Sequence, residues 1–525
     1  AGLVAWMVRR SLLMACLALV LAGLGIWGIA RLPTAFIPIE DQGYVIIGVQ
    51  LPDGASLERT EQALAEASRI ARATPGVDQV IEISGISVLD NNASLSSAGA
   101  AYVILKDWDE RRKAGGQDLR TIYMRLQHAL DEMDDAEAFV IVPPPIQGIG
   151  NASGFTMQVE LRDGSYDFEK LQHLTQAILA AGQGQSGLQR LVSPFRAGTP
   201  QIRVVVDRVK AESLGVSVGD VFAVLSSYLG SSYVNQFNRF GRTFQVYVQA
   251  DSQFRRQPED LLRLTVRSQS GQMVPLGALA QIQTEVGPAL IGQYNLYPAA
   301  TIIGGPAPGF SSGQAMDLME RIADRILPAG AAYEWTAMSY QEKVVGNQIY
   351  YVFGLAVLLV YLCLASQYES WTAPLPVILA VPLALIGPAI ALGAVGLANN
   401  LYTQIGLVLL IALAAKNAIL IVEVAREFRR EGEGIQEAAI AAARTRFRPI
   451  LMTSLAFILG VVPLVTATGA GAFARISLGL CVFSGMIAST CLAVLFVPPL
   501  FTVVQRLEER RKARPQSVEF AKPAE

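Results

Sequence analysis

The chain has 525 residues, of which 52 % are hydrophobic and 16 % charged. It is too apolar for an ordinary soluble protein and too charged for one lying wholly inside a bilayer. A net charge of −2 with no broad basic face argues against nucleic acid as a partner.

A spanning helix needs roughly 20 apolar residues. The first candidate, Ser11–Ile29, is long for a signal peptide, has no clear small-residue cleavage pattern, and runs into Leu32, Pro33 and Thr34. It reads as a retained helix. A polar, mixed-charge section then continues to about Gln348. Within it Gly43–Leu51 reads as a strand, and Ser56 as the N-cap of a helix through Ala73 that Pro75 and Gly76 stop. Strands follow at Val77–Ile83 and Ala100–Leu105, then a helix at Leu119–Met133. A strand at Ala138–Val142 closes the unit before three consecutive prolines. The order β-α-β-β-α-β is the split unit of ferredoxin-like folds.

A second such unit follows, interrupted midway. Thr156–Leu161, the helix Phe168–Ala181 and Leu188–Val192 form its first half. Ala299–Ile303, the helix Gly313–Ile326 and Tyr333–Ala337 form its second. Between them Thr199 to about Gly292 carries its own strands, Gln201–Val206 and Thr243–Gln249, and reads as an inserted domain. Five more apolar stretches complete the chain: Ile349–Ala365, Ala373–Val395, Leu401–Val424, Pro449–Val465 and Ile476–Val504. Arg9 and Arg10 precede the first span. Arg426 to Arg448 follow the fourth, and Arg506 to Lys512 follow the sixth. Placing these cations on the cytoplasmic side satisfies six crossings and puts the polar section outside the cytoplasm. Pro376, Pro382, Gly387 and Pro388 are tolerable inside a span if neighbouring helices cover the freed carbonyls.

Cys16, Cys363, Cys481 and Cys491 all lie in apolar runs, so the polar section holds no disulfide or thiol zinc site. His128 and His173 are far apart in helical patterns and read as surface residues. Neither a metal nor a cofactor is expected.

The chemistry centres on Lys416, midway along the fourth span. A lysine there costs at least ~2.5–3.5 kcal/mol and normally faces a protein interior with a counter-charge. From Asn347 to Val504 the sequence has no aspartate, and its glutamates lie in loops apart from Glu423. Glu423 shares a face with Lys416 but is two turns away. Lys416 therefore needs a carboxylate from another element. Such a pair is suited to a proton switch, in which protonating the carboxylate frees the lysine and moves a helix. The plainer alternative is a lysine that pins two helices together.

The stretches Lys416–Glu423 (KNAILIVE) and Arg446–Gly460 (RFRPILMTSLAFILG) resemble helices ten and eleven of resistance-nodulation-division multidrug exporters. Leu364–Trp371, Lys106–Trp108 and Gly271–Leu276 are similar to the hydrophobe/amphiphile branch, so the resemblance runs over nearly the whole chain. It covers only the second of that family's tandem halves, and Ala1 opens the sequence almost directly on a span. The expectation is a piece of a longer protein, whose other half is fused or separate.

The resemblance implies an α-helical membrane protein with six transmembrane helices and a large periplasmic α+β part. Residues 1–31 would be the first transmembrane helix and 32–150 one ferredoxin-like porter subdomain. Residues 151–198 with 292–340 would form a second, and 199–291 an inserted docking subdomain. A five-helix bundle would span 341–505, with a cytoplasmic tail at 506–525. It also implies proton/drug antiport of hydrophobic or amphiphilic compounds from the periplasm or inner membrane of a Gram-negative cell. The pump would be a homotrimer with a periplasmic adaptor and an outer-membrane channel. Lys416 would pair with aspartates of the absent first half, and Thr453 and Arg446 would complete the relay. The drug path would run between the porter subdomains. Gly85–Gly99 resembles the switch loop, with Ile86 and Val88 where phenylalanines are familiar, and Tyr102, Phe155 and Met157 at other contact positions. Plain core packing is an equal reading of these five.

The competing reading is an accessory of protein export of the related six-span, proton-driven type. Metal-cation export is a third, but the 11 methionines are scattered. An enzyme lacks support, since no nucleophile–base set or phosphate loop is found, and a pure scaffold leaves Lys416 unexplained.

Overall fold

The structure, a computed structural model, describes residues 2–150, 152–307, 309–346 and 348–512. The expected tail beyond Lys512 lies outside them. The chain divides into two compact units: Ala1–Tyr166, His173–Pro194 and Gly292–Glu525 form one, Asp167–Gln172 and Phe195–Ile291 the other.

In the first unit, strands β1 (Tyr44–Gln50), β2 (Val77–Ser87), β3 (Ala93–Leu105) and β4 (Glu137–Ile141) form a sheet in the order β2-β3-β1-β4. Alternation along β1 explains why it is central. Val45, Ile47 and Val49 meet Leu64 and Ala67 of one helix and Ile122 and Leu126 of another, while Ile46 meets Val88, Ala100 and Ile141 on the other face. Ser56 caps the helix Leu57–Ala73 by accepting from Arg59 N at 3.4 Å, as its sequence predicts.

A second sheet repeats this plan. Strands β5 (Phe155–Leu161), β6 (Leu188–Val192), β7 (Tyr297–Pro306) and β8 (Ala331–Trp335) pair in the order β6-β7-β5-β8. Helices Phe168–Gln183 and Ser312–Ile326 fall at the corresponding places in the chain. The polar section is thus mixed α/β.

The Gly85–Gly99 segment is largely a hairpin, not an irregular loop. Ile86 pairs with Ser94 and Ser87 with Ala93. Asn91 and Asn92 adopt φ 56° and 61°, a conformation asparagine tolerates, and Ser87 Oγ donates to Asp90 at 2.7 Å to close the turn.

In the second unit Thr199–Val206 pairs antiparallel with Ala280–Gly287. A core of Ala211, Val221, Leu225, Val266, Leu276 and Leu279 lies alongside. Its hairpin Ser232–Arg239/Arg242–Val248 is exposed along almost its whole length, with Phe237 and Phe244 stacked at 5.5 Å.

Six helices among the described residues are long and apolar enough to cross a membrane: Ser11–Arg31, Tyr351–Tyr368, Leu375–Val395, Leu401–Arg430, Ile435–Val465 and Ala472–Arg510. The third is broken by a 3-10 stretch, Val381–Leu385, at Pro382. The fourth and sixth are central, with 56 % of their most apolar stretches buried against 17 % for the second and fifth. The arginines read as a loop between the fourth and fifth spans instead lie in helices. Arg426, Arg429 and Arg430 end the fourth, Arg444, Arg446 and Arg448 sit inside the fifth, and only Glu431–Gly434 connects them. The alanine-rich run Ala438–Ala443 favours helix strongly enough to carry these arginines along.

Candidate transport site

The fourth span packs Leu407, Leu410, Ile411, Ala414, Ala415, Ala418, Ile421 and Val422 inward. The residues left exposed recur at helical spacing: Ile405, Leu409, Ala412, Lys416, Glu423 and Glu427. On this stripe Lys416 follows the apolar Ile405, Leu409 and Ala412 and precedes Glu423 and Glu427 towards the end of the helix. Among the described residues no carboxylate lies within ion-pair distance of it.

Polar atoms on the fourth and fifth spans are also unmet. Asn417 Nδ2, Arg446 Nε and Ser454 Oγ are buried without a hydrogen-bond partner among the described residues, a costly state for buried donors. Thr453 donates to Ile450 O at 3.2 Å on its own helix. Lys416, Thr453 and Arg446 are thus placed on adjoining helices, but no hydrogen bond joins them.

A cavity of about 900 Å³ opens between the two sheets of the first unit. One wall is the helix Leu119–Leu130 with β4, including Tyr123, Met124 and Phe139. The other is β6 and β7, with Phe310 beyond. Ile39 and Phe473 line it where the sixth span begins. Apolar and aromatic walls with a few charged groups suit an amphiphile.

Of the five contact residues expected from sequence, none lines this cavity. Val88 is 4 % exposed and packs with Ile46 and Ile141. Phe155 and Met157 are fully buried, Phe155 edge-on to Trp335 at 5.9 Å. Tyr102 lies 6.5 Å from Tyr44, and Ile86 is half-buried on the hairpin. Val88 and Tyr102 pack against Leu89 and Ala152, which do line the cavity, so they back its wall. A phenylalanine at position 88 would overpack that core before it altered any path.

Two carboxyls that sequence reasoning missed sit near the bundle. Glu40, 5 % exposed, accepts from Phe473 N at 3.2 Å and Ala474 N at 2.6 Å, so it caps the sixth span. Burial pushes its pKa upward, opposed by those two donors and by Arg475. No local pattern marks Glu40, because its partners are more than 430 residues away.

Glu342 accepts from Ser312 Oγ at 2.8 Å, and burial raises its pKa to about 6 from the ordinary 4.5. Between these values the folded state holds a proton that the unfolded state has lost, so stability falls as pH rises through that window. Glu342→Gln is expected to raise the thermal midpoint at pH 7.5, a gain of about 1–2 kcal/mol, and to change it little at pH 4.5. Equal shifts at both pH values would contradict this.

The AcrB/AcrD/AcrF family model matches residues 1–505, and the chain belongs to that family. It is 43 % identical over 491 residues to the multidrug/solvent efflux pump membrane transporter MepB of Pseudomonas putida, covering 93 % of this chain and 46 % of that protein. It is 40 % identical over 492 residues to the multidrug export protein AcrF of Escherichia coli K12, covering 93 % and 47 %. Against the multidrug resistance protein MdtF of the same strain it is 40 % identical over 487 residues, covering 92 % and 46 %. The chain spans about half the length of the curated relatives it matches.

Proposed function

We propose that the chain forms the energised half of a proton/drug antiporter that exports hydrophobic or amphiphilic compounds from the periplasm or inner membrane. The observation that carries this reading is Lys416, an exposed cation midway along an apolar helix with no carboxylate at ion-pair distance among the described residues. A second membrane element, fused or separate, supplies the aspartates. Protonating them releases Lys416, and the fourth span shifts. Arg446 and Thr453 complete the relay on the fifth span.

The repeated β-α-β-β-α-β order supports two ferredoxin-like porter subdomains, 32–150 and 151–198 with 292–340. The cavity between their sheets is then the drug path, with Ile86, Val88 and Tyr102 behind its wall and Phe155 and Met157 in the core of the second sheet. Residues 199–291 form the docking subdomain toward an outer-membrane channel and periplasmic adaptor. The exposed aromatic hairpin at 232–248 fits a homotrimer, in which a second copy covers it. The working protein sits in the inner membrane of a Gram-negative cell.

Phe139→Ala and Phe310→Ala test the path. They should change the relative export of amphiphiles severalfold, at the ~0.5–1.5 kcal/mol scale of an aromatic contact, and leave proton flux near normal. An unchanged export profile would place the path elsewhere.

A further inference from the structure

Arg190 is held in an unusual way. Along β6, Val192 pairs with Ile303 and Gln189 with Gly305, so Arg190 and Leu191 together face the single residue Gly304. This is a bulge, a device that re-aims a side chain. Leu191 turns inward, where a Cβ on Gly304 would come within 2.5 Å of it and 2.7 Å of the Phe155 ring. Arg190 is turned outward at φ 54°, a conformation uncommon for a residue with a Cβ. Its guanidinium lies 4.9 Å from the centre of the Tyr123 ring. Tyr123 and Arg190 come from opposite walls of the cavity, and both line it. Asp118, Asp131 and Glu137 line it too, and the Arg190 guanidinium sits against the Tyr123 ring.

We infer that Arg190 is a resident cation that clasps the cavity shut on Tyr123, and that ligands carrying an aryl-bound cation enter by taking its place. This rests on the cavity being the drug path. The ring face already accepts a guanidinium, so a ligand guanidinium or ammonium of like size meets the same attraction. Burial pushes the Tyr123 phenol upward, opposed by the Arg190 charge and by a hydrogen bond between the two side chains, so the guanidinium and the phenol are in direct contact. A neutral ligand of the same shape gains nothing from displacing Arg190.

The test uses the protein purified from its own membrane with whatever subunits accompany it, and two fluorescent probes, naphthylguanidinium and its neutral isostere naphthylurea. Arg190→Gly suits the bulge, since glycine takes φ 54° freely, and removes only the clasp. It should tighten the guanidinium roughly two- to fivefold and leave the urea unchanged. Tyr123→Phe should keep the cation preference and Tyr123→Leu should lose it. Equal shifts of both probes in Arg190→Gly, or a preference that survives Tyr123→Leu, would overturn the clasp while leaving the path intact. Failure of both probes to bind any variant would overturn the path reading itself, and the clasp with it.

Discussion

Lys416→Ala is expected to abolish proton-driven export while leaving the protein's level and assembly in the membrane unchanged. Loss of the cation removes the group that a protonated carboxylate would release, so no setting of the proton gradient should restore transport. Stability should suffer little, because the aspartates left without Lys416 can take up a proton and stay neutral. In the fourth span Lys416 is exposed and makes no ion pair among the described residues, and removing it relieves an insertion cost of ~2.5–3.5 kcal/mol. The two roles of a membrane lysine therefore separate. A relay residue gives folded, inactive protein, whereas a lysine that pins helices gives less protein with residual activity. Lys416→Arg should also fail, because a planar guanidinium that holds its proton is no substitute for an ammonium. Dye export from inverted vesicles under an imposed pH gradient, with protein level measured in the same membranes, distinguishes these outcomes. Near-normal export would remove Lys416 from the mechanism.

Gly387→Ala should be the most damaging conservative change in the bundle. A Cβ at Gly387 would lie 2.1 Å from Ser484 O and 2.5 Å from Ser484 C, both backbone atoms of the sixth span. Side chains can rotate away from a new methyl group, but a helix backbone cannot. The third and sixth spans must separate, opening the contact that seats the broken third span on a central helix. Overpacking usually costs ~1–3 kcal/mol, and a backbone clash belongs at the top of that range. Gly354→Ala is the control, since a Cβ there meets nothing within 4 Å. Thermal midpoints in detergent should fall by about 3 °C for Gly387→Ala and not for Gly354→Ala. Equal midpoints would mean that the third and sixth spans are not in this close contact.

Much of the fold was legible because its signals are local. Ser56 and the Pro75–Gly76 stop marked one helix to within a residue, and apolar run length marked all six spans. The position of Lys416 midway along a span was legible because a charge in a run of apolar residues needs no neighbour to be conspicuous. The surroundings of the expected contact residues were not legible. Val88, Phe155 and Met157 look like any large apolar side chain, and only the pairing of β1, β5 and their neighbours decides that they point into cores. Arg190 was hidden for a related reason, since its direction comes from a bulge set by Gly304 more than 100 residues later. The loop assigned between the fourth and fifth spans failed because charge suggested a break where alanine propensity sustained a helix.

The most direct test of the relay is zero-length coupling in the native membrane. A lipid-soluble carbodiimide joins an amine to a carboxylate only where the two touch, and peptide mass spectrometry then identifies both ends. The expected product is an amide between Lys416 and an aspartate of a membrane helix outside residues 1–525, with the yield falling when the membrane is energised. No adduct at Lys416, or one only to Glu423 of the same helix, would contradict it.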